Sequence, residues 1–307
     1  MSKQIVVIGS ANVDLIMKVA QLPTKGETVT GGSFHQVFGG KGANTAVGAA
    51  RSGGKVSFVA CVGNDASSPH MLADLEADGI NTEFVVKATT QPSGHAVIMV
   101  DKIGNNCIAV AAGANCLLNE EHIDQAQAQI LEAAIICLQF EIPATTTEYI
   151  IELAAKNHIP ILWNFAPAQS FDQETRALVD YLIVNELEAG FLSGLEVDNQ
   201  DAAVRAANQL RAQGHRVVVI TLGSQGAIWV DQAGSYFQPA FPVAAIDTTA
   251  AGDIFCGSLA TAIAAGNKKE EAMAFATAAA ALSVTRLGAQ PSAPSAEEIQ
   301  DFLQQQT

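Results

Sequence analysis

Residues 247–257 read Asp247-Thr248-Thr249-Ala250-Ala251-Gly252-Asp253-Ile254-Phe255-Cys256-Gly257, with a carboxylate directly after three small residues. The apolar run that follows, Ile254 to Ala265, predicts a helix that begins near Ala250. The first amides of a helix lack intrahelical acceptors and lie at the positive end of its dipole. The stretch therefore predicts an anion site open to a phosphoryl group, with Asp253 beside it to accept a proton. The alternative is an Asp that only stabilises the first turn of a helix.

Composition limits the classes of function. The chain has 307 residues, of which 49% are hydrophobic and 15% charged, as expected for a globular protein with one large α/β domain or two domains. A net charge of −15 argues against nucleic-acid binding, which needs a basic face. No Lys or Arg run indicates a membrane partner, and the longest apolar run, Ala272 to Val284, is too short to span a bilayer. Five scattered cysteines without a C-x-x-C pair favour free thiols and a cytoplasmic location.

Strand-like and helix-like segments alternate from Val56 onward. This alternation predicts a doubly wound, mostly parallel sheet flanked by helices, with function at the carboxyl ends of the strands. The strand-like runs are 56–62, 134–140, 159–164, 181–184 and 217–222, and the helix-like segments are 71–78, 145–156 and 202–212.

Two β-rich stretches interrupt that pattern. Residues 15–38 contain Pro23 and several glycines around short β-like pieces such as Glu27–Thr30, and residues 94–111 have the pattern of a hairpin. We expect them to form a small sheet that folds over the site as a lid. The predicted organisation is a single domain over residues 1–307, with the lid formed by about 13–38 and 92–112.

The motifs of this chain resemble those of the ribokinase-like family of carbohydrate and nucleoside kinases. Asp247-Thr-x-Ala-Ala-Gly-Asp253 is similar to the second family signature and Gly39-Gly-Lys-Gly-Ala-Asn44 to the first. The resemblance continues through Gly9–Asp14, Asn185–Glu188, Thr221–Gly226 and Gly288–Ser292. One departure is Ala250, where the family usually has Gly; we expect the backbone amides to keep their place with less conformational freedom.

The first signature is a glycine-rich loop before a predicted helix, Ala43 to Ala50. Glycines let a backbone approach a ligand, and Lys41 and Asn44 are able to donate to hydroxyl groups. The loop has neither the P-loop nor the dinucleotide-binding spacing. The resemblance implies that it binds a sugar. The sugar-binding residues implied in this way are Asn12, Asp14, Gly40, Lys41, Gly42, Asn44, Glu141 and Asp253. For Asn12 and Asp14, a simple turn is the alternative.

The nucleotide is expected beyond the strand 217–222. A strand that ends in Gly-x-x-Gly with hydroxyl side chains offers amides and hydroxyls to phosphate or ribose, although a plain hairpin turn fits the same pattern. The family resemblance implies ATP at this place. The implied ATP-binding residues are Asn185, Thr221, Gly223, Ser224, Gly226, Gly252 and Thr277.

Two metal sites are implied. Asn185 and Glu188 resemble the family motif that organises Mg²⁺, largely through water, and the alternative is a helix start with Asn as N-cap and Glu at the third position. The resemblance also implies a monovalent cation, K⁺, enclosed by two loops. Its implied ligands are Asp247, Thr249, Ser283, Arg286, Gly288 and Ser292.

The expected activity follows from this resemblance. It is transfer of the γ-phosphoryl group of ATP to the primary hydroxyl of a sugar, with D-ribose as the first choice. Asp253 takes the hydroxyl proton, and the amides of Ala250, Ala251, Gly252 and Asp253 stabilise the transferred group. The alternatives are a deoxyribose, fructose or nucleoside kinase, or an inactive sugar-binding regulator. The family also implies a homodimer formed through the lid.

Overall fold

The computed structural model describes residues 3–306. Its strands belong to two sheets. The strands are β1 (Gln4–Ile8), β2 (Asn12–Lys18), β3 (Ser33–Gly39), β4 (Lys55–Gly63), β5 (Asn81–Ala88), β6 (Gly94–Val100), β7 (Asn106–Ala111), β8 (Ile135–Leu138), β9 (Ile161–Asn164), β10 (Tyr181–Asn185), β11 (Val217–Thr221), β12 (Gly226–Asp231) and β13 (Gly234–Pro239).

The helices lie between these strands and after the last of them. They are α1 (Lys41–Arg51), α2 (Ser68–Ala77), α3 (Glu120–Gln125), α4 (Gln127–Leu131), α5 (Ala144–Lys156), α6 (Gln173–Arg176), α7 (Glu186–Ser193), α8 (Gln200–Ala212), α9 (Ala251–Ala265), α10 (Lys269–Ser283) and α11 (Ala296–Gln305).

The large sheet has nine strands in the order β13-β12-β11-β10-β9-β8-β1-β4-β5. The seven neighbouring strands β11, β10, β9, β8, β1, β4 and β5 are parallel to one another, and β12 and β13 add an antiparallel edge beside β11. Successive residues of β1 alternate between two cores: Ile5 and Val7 pack with α1, α9 and α10, whereas Val6 and Ile8 pack with α5 and α8. The predicted doubly wound sheet is confirmed. The sequence patterns did not predict β5 or β13.

The small sheet has four strands in the order β3-β2-β6-β7. The predicted hairpin at 94–111 is confirmed as the antiparallel pair β6 and β7. The short strand expected at Glu27–Thr30 is wrong, since these residues lie in an irregular segment between β2 and β3. Asn12 and Asp14 lie in β2, so the turn considered for them is also wrong.

Helices α1 and α9 pack against each other at two glycines. A Cβ at Gly257 would lie 2.4 Å from Thr45 O, and a Cβ at Gly48 would lie 3.0 Å from the Cα of Ile254. Side chains at these positions would push the helices apart. The residues one turn earlier on each helix, Asn44 and Asp253, are therefore brought face to face. Within residues 3–306, no helix has the length and apolar character needed to cross a membrane.

Candidate active site

Asp253 lies in the first turn of α9 and is buried, with 5% of its surface exposed. Its carboxylate accepts two side-chain hydrogen bonds. Asn44 Nδ2 lies 3.0 Å from Asp253 Oδ2, and Asn164 Nδ2 lies 3.2 Å from Asp253 Oδ1. Two amides from α1 and from the end of β9 thus fix the plane of the carboxylate. The sequence placed Asn164 at a strand end but assigned it no role.

The glycine-rich loop is attached to the end of the β8 segment through Glu141. Glu141 Oε2 accepts the backbone N–H of Lys41 at 3.0 Å and the hydroxyl of Ser10 at 2.5 Å. The same Ser10 hydroxyl lies 3.3 Å from the amide of Gly42. A carboxylate at the first amide of α1 also suits the positive end of the helix dipole. Glu141 therefore holds the loop in place, and Ser10, to which sequence reasoning gave no role, links it to β1.

Glycine is needed at two points of this loop. Gly40 has φ 91°, which L side chains rarely adopt, and a Cβ there would lie 2.8 Å from the amide nitrogen of Asn12. A Cβ at Gly42 would lie 2.5 Å from the amide nitrogen of Ser10. The loop therefore lies directly against the segment between β1 and β2, and this contact brings Lys41 and Asn12 to one site.

Burial and neighbouring charges shift the pKa values of three groups in this site, Asp253, Asp14 and Lys41. Burial raises the pKa of Asp253, while Lys41 and the Asn44 hydrogen bond oppose that rise. The pKa of Asp14 is raised to about 6 by burial and by the nearby Glu141 and Asp253 carboxylates. The pKa of Lys41 is raised, chiefly by the charge of Asp253. The site therefore combines one ammonium group with carboxylates whose proton affinity is increased, as a proton-accepting site requires.

The start of α9 differs in one respect from the expectation. Ala250 is the N-cap and has φ 61°, the left-handed conformation for which the family glycine is suited. The amide of Ala251 donates to Thr248 O at 3.3 Å, so it already has an acceptor. The amides of Gly252 and Asp253 have no acceptor among the described residues. The expectation that Ala251 contributes a free amide is therefore wrong for this conformation.

A pocket of about 350 Å³ lies beside this helix start. Gly252, the residue directly before Asp253, lines this pocket. Five further residues expected to bind ATP also line it: Thr221, Gly223, Ser224, Gly226 and Thr277. The rest of the wall is mainly apolar and comes mostly from α9, α10 and residues 240–245. Residues 240–245 carry no motif in the sequence. An apolar pocket of this size with a few polar groups is typical of a small-molecule site.

Two residues of this pocket are constrained by their surroundings. Gly226 has φ 125°, and a Cβ there would lie 2.1 Å from Gln238 O. Residues 221–227 therefore form both the turn between β11 and β12 and one wall of the pocket, as the sequence allowed. Thr277 is 6% exposed, and its hydroxyl has no hydrogen-bond partner among residues 3–306. An unpartnered buried hydroxyl on a pocket wall is available to a ligand.

Asn185 and Glu188 form the capping box that the sequence offered as an alternative to a Mg²⁺ motif. Asn185 Oδ1 accepts the amide of Glu188 at 2.9 Å, and Glu188 Oε2 accepts the amide of Asn185 at 2.8 Å. Asn185 pairs with Thr221 across β10 and β11, which places the box next to the pocket. Burial raises the pKa of Glu188. Its second oxygen, Oε1, accepts no hydrogen bond from the described residues.

The two loops expected to enclose a cation lie in contact. Asp247 Oδ2 accepts the amide of Gly288 at 2.9 Å, and Asp247 Oδ1 accepts the amide and the hydroxyl of Thr249. The hydroxyl of the buried Ser292 donates to Ala289 O at 2.7 Å, and the carbonyl of Ser283 accepts the amide of Arg286. Residues 3–306 contain no cluster of three or more His, Cys, Asp or Glu side chains able to hold a metal ion.

The fold and this site define a class of protein. The family model for the pfkB family carbohydrate kinases matches residues 2–296, and the chain therefore belongs to that family.

Comparison with individual proteins is more specific than the match to the family model. The chain is 40% identical over 304 residues to a ribokinase of Haemophilus influenzae, with 99% of each chain covered. It is 38% identical over 300 residues to a deoxyribokinase of Salmonella typhimurium, with 97% of this chain and 98% of that protein covered. Among solved structures, Arabidopsis thaliana ribokinase complexed with ribose and ATP superposes with a TM-score of 0.93 at 31% identity, covering 99% of both chains.

Proposed function

We propose that this protein transfers the γ-phosphoryl group of ATP to the primary hydroxyl of a sugar, with D-ribose as substrate and D-ribose 5-phosphate as product. The observation that carries the proposal is the placement of Asp253. Its carboxylate faces Asn44 of the glycine-rich loop and helix, and its neighbour Gly252 lines the pocket of about 350 Å³. One residue thus separates a polar site suited to a sugar from a pocket suited to a nucleotide.

In the proposed mechanism Asp253 accepts the proton of the attacking hydroxyl. Burial raises its pKa, which brings the carboxylate closer to the proton affinity that a general base needs at neutral pH. The free amides of Gly252 and Asp253 stabilise negative charge on the transferred group, and Lys41 adds a positive charge nearby. Amides of this kind need no reorganisation during the reaction, so positioning and electrostatics supply most of the catalysis.

The sugar is held by the polar groups around the glycine-rich loop. Asp14 and Asn12 lie on the same face of β2, two residues apart. Asp14 is close enough to Glu141 for their charges to interact, and Glu141 accepts the amide of Lys41. Donors and acceptors at fixed spacing suit an uncharged polyol. The nucleotide lies against Thr221, Gly223, Ser224, Gly226 and Thr277.

Magnesium fits the capping box between α7 and the pocket. Mg²⁺ prefers oxygen ligands and keeps several waters, so one carboxylate oxygen together with waters and phosphate oxygens suffices. Glu188 Oε1 is the oxygen that meets this need, with Asn185 fixing the orientation of Glu188. When it is bound, the ion neutralises part of the negative charge on the ATP phosphates.

An activating K⁺ ion is proposed between the loops at 247–249 and 283–292. The hydrogen bond between Asp247 and Gly288 holds these loops together directly before the first turn of α9. Backbone carbonyls with Asp and Ser oxygens are suitable ligands for such an ion. The candidate ligands remain Asp247, Thr249, Ser283, Arg286, Gly288 and Ser292.

We further propose that the small sheet acts as a lid and joins two copies of the chain into a homodimer. Five side chains of the sheet are large, apolar and well exposed. They are Met17, Phe34, Val97, Ile108 and Val110. Met17, Phe34 and Val97 lie on one face of the sheet, and Ile108 and Val110 lie on the face that carries Asp14. Exposed apolar surface of this kind is typical of an interface between subunits. Replacing Ile108 by Glu should convert the dimer to a monomer in light-scattering measurements, and a monomeric wild-type protein would refute this part.

A deoxyribose kinase is the second candidate, because the deoxyribokinase of Salmonella typhimurium is 38% identical to this chain.

We propose that the reaction takes place in the cytoplasm, where the five free cysteines remain reduced.

A coupled assay of ADP release decides among these possibilities. The purified protein is supplied with Mg²⁺ and ATP, with and without K⁺, and with ribose, deoxyribose, fructose and adenosine in turn. We expect the highest kcat/KM with ribose and activation by K⁺. A higher kcat/KM with deoxyribose would favour the second candidate, and ADP release with none of the four would refute the proposal.

A further inference from the structure

Asn115 is a buried amide outside the family motifs, 2% exposed, in the 3₁₀ turn Gly113–Leu117 that follows β7. It makes two hydrogen bonds to the segment that starts β2. Asn115 Oδ1 accepts the backbone N–H of Ala11 at 2.9 Å, and Asn115 Nδ2 donates to Asn12 Oδ1 at 2.8 Å. The turn by which the small sheet rejoins the rest of the chain is thus bonded to a candidate sugar-binding residue.

These bonds fix which way both amides point. A backbone N–H is only a donor, so the atom of Asn115 that faces Ala11 must be its carbonyl oxygen. The NH₂ group of Asn115 must then face Asn12. A donor requires an acceptor opposite it, so the atom of Asn12 that faces Asn115 is Oδ1, and the NH₂ group of Asn12 points the other way.

Gly94, the first residue of β6, leaves room for this pair. A Cβ at Gly94 would lie 2.1 Å from Asn12 Oδ1 and 2.3 Å from Asn115 Nδ2, inside the hydrogen bond between them. The backbone of Gly94 does not have a positive φ, so the conformation itself does not require glycine. The site therefore excludes any side chain at position 94, because the two amides meet there.

We propose that Asn115 is a positioning residue that sets the hydrogen-bonding polarity of Asn12, so that Asn12 presents its NH₂ group as a donor to a sugar hydroxyl. The inference rests on the proposed function and deepens it. On the same face of β2, Asp14 presents an acceptor. A donor and an acceptor side by side match two neighbouring hydroxyls, one of which accepts while the other donates.

Asn115→Asp tests this with almost no change in shape. The new carboxylate still accepts from Ala11, but an acceptor now faces Asn12. Asn12 must rotate its amide to donate to Asp, and its carbonyl oxygen then faces the sugar. We expect the Kd for ribose, measured by calorimetry, to rise by about 10-fold, the equivalent of one lost hydrogen bond, with the KM for ATP changed less than about twofold.

Asn119→Asp is the matched control. It makes the same chemical change four residues later, at the N-cap of α3, where Asp is as good a cap as Asn. Ribose binding should not change in this variant. Gly94→Ala is the second test and adds no charge. It should weaken ribose binding in the same way as Asn115→Asp, even if that variant folds poorly.

A double-mutant cycle separates positioning from general damage to the fold. If Asn115 acts through Asn12, Asn115→Asp should change ribose binding less than about twofold in an Asn12→Ala background. Equal and additive effects in the two backgrounds would overturn the proposal. So would unchanged ribose binding in both Asn115→Asp and Gly94→Ala. If the wild-type protein binds no sugar, the proposed function fails instead, and that outcome is distinct because it is seen before any substitution.

Discussion

Asn44 and Asp253 are 209 residues apart in the chain, yet Asn44 Nδ2 lies 3.0 Å from Asp253 Oδ2. The contact exists because Gly48 and Gly257 allow α1 and α9 to pack closely one turn further along. It joins the loop proposed to bind the sugar to the residue proposed to accept its proton. The packing of α1 against α9 therefore brings together two motifs that are far apart in the sequence.

Replacing Asn44 by Leu should shift the pH dependence of turnover. The Asn44 hydrogen bond lowers the pKa of Asp253, so its loss raises that pKa. A base with a higher pKa is protonated at higher pH, and the acidic limb of kcat should move upward by about one pH unit, the equivalent of one hydrogen bond. The measurement is kcat at saturating ribose and ATP across the acidic range, and an unmoved limb would contradict the role given to Asn44.

The contribution of Asp14 to the free energy of unfolding should fall as the pH rises. Its pKa in the folded protein is about 6, against an ordinary value of 3.8 for an Asp side chain, so at pH values between these two the folded state holds a proton that the unfolded chain has released. The stabilisation is present below pH about 4 and is lost as the pH rises through about 6. Asp14→Asn should therefore raise the free energy of unfolding relative to wild type at pH 7, by up to about 3 kcal/mol, and change it little at pH 4.

Urea unfolding of both proteins at a series of pH values measures this difference. A constant difference between pH 4 and pH 7 would show that Asp14 does not have a raised pKa.

Thr277→Val should weaken ATP binding without a loss of stability. The Thr277 hydroxyl has no partner among the described residues and lines the nucleotide pocket, so its removal breaks no internal hydrogen bond. We expect the KM for ATP to rise by about 5- to 10-fold, with the KM for ribose and the melting temperature nearly constant. An equal rise in both KM values would place the effect outside the nucleotide pocket.

Ala250→Gly should be neutral or stabilising. Ala250 has φ 61°, and the left-handed conformation costs an L residue about 1–2 kcal/mol. Glycine removes this strain but gives the unfolded chain more conformational entropy, at a cost of about 0.4–1 kcal/mol, which leaves a net gain of between about 0 and 1.6 kcal/mol. The control is Ala265→Gly at the exposed end of α9, which should lose about 0.5–1 kcal/mol. Equal losses at both positions would contradict this account.

Much of the site was predictable because its motifs follow strands or start helices. Polar residues after a buried strand, such as Asn185 and Thr221, meet at one edge of a parallel sheet, and the alternation of segments is enough to place them there. The start of α9 was predicted to within one residue of its observed position at Ala251.

What the sequence did not predict depends on how side chains meet across the fold. Ser10 and Asn164 are ordinary polar residues whose roles follow only from contacts with Glu141 and Asp253. The amide of Ala251 was expected to be free, but the left-handed turn at Ala250 aims it at Thr248 O. Asn115 lies in no motif, and its effect on Asn12 follows from hydrogen-bond geometry that no spacing pattern encodes.

The central claim is that the Asp253 carboxylate takes the proton of the sugar hydroxyl, and kcat of Asp253→Ala tests it most directly. The account predicts a loss of about 10²- to 10⁴-fold in kcat, the usual contribution of a general base, with ribose and ATP still bound in calorimetry. Turnover within about threefold of wild type, with binding intact, would contradict it.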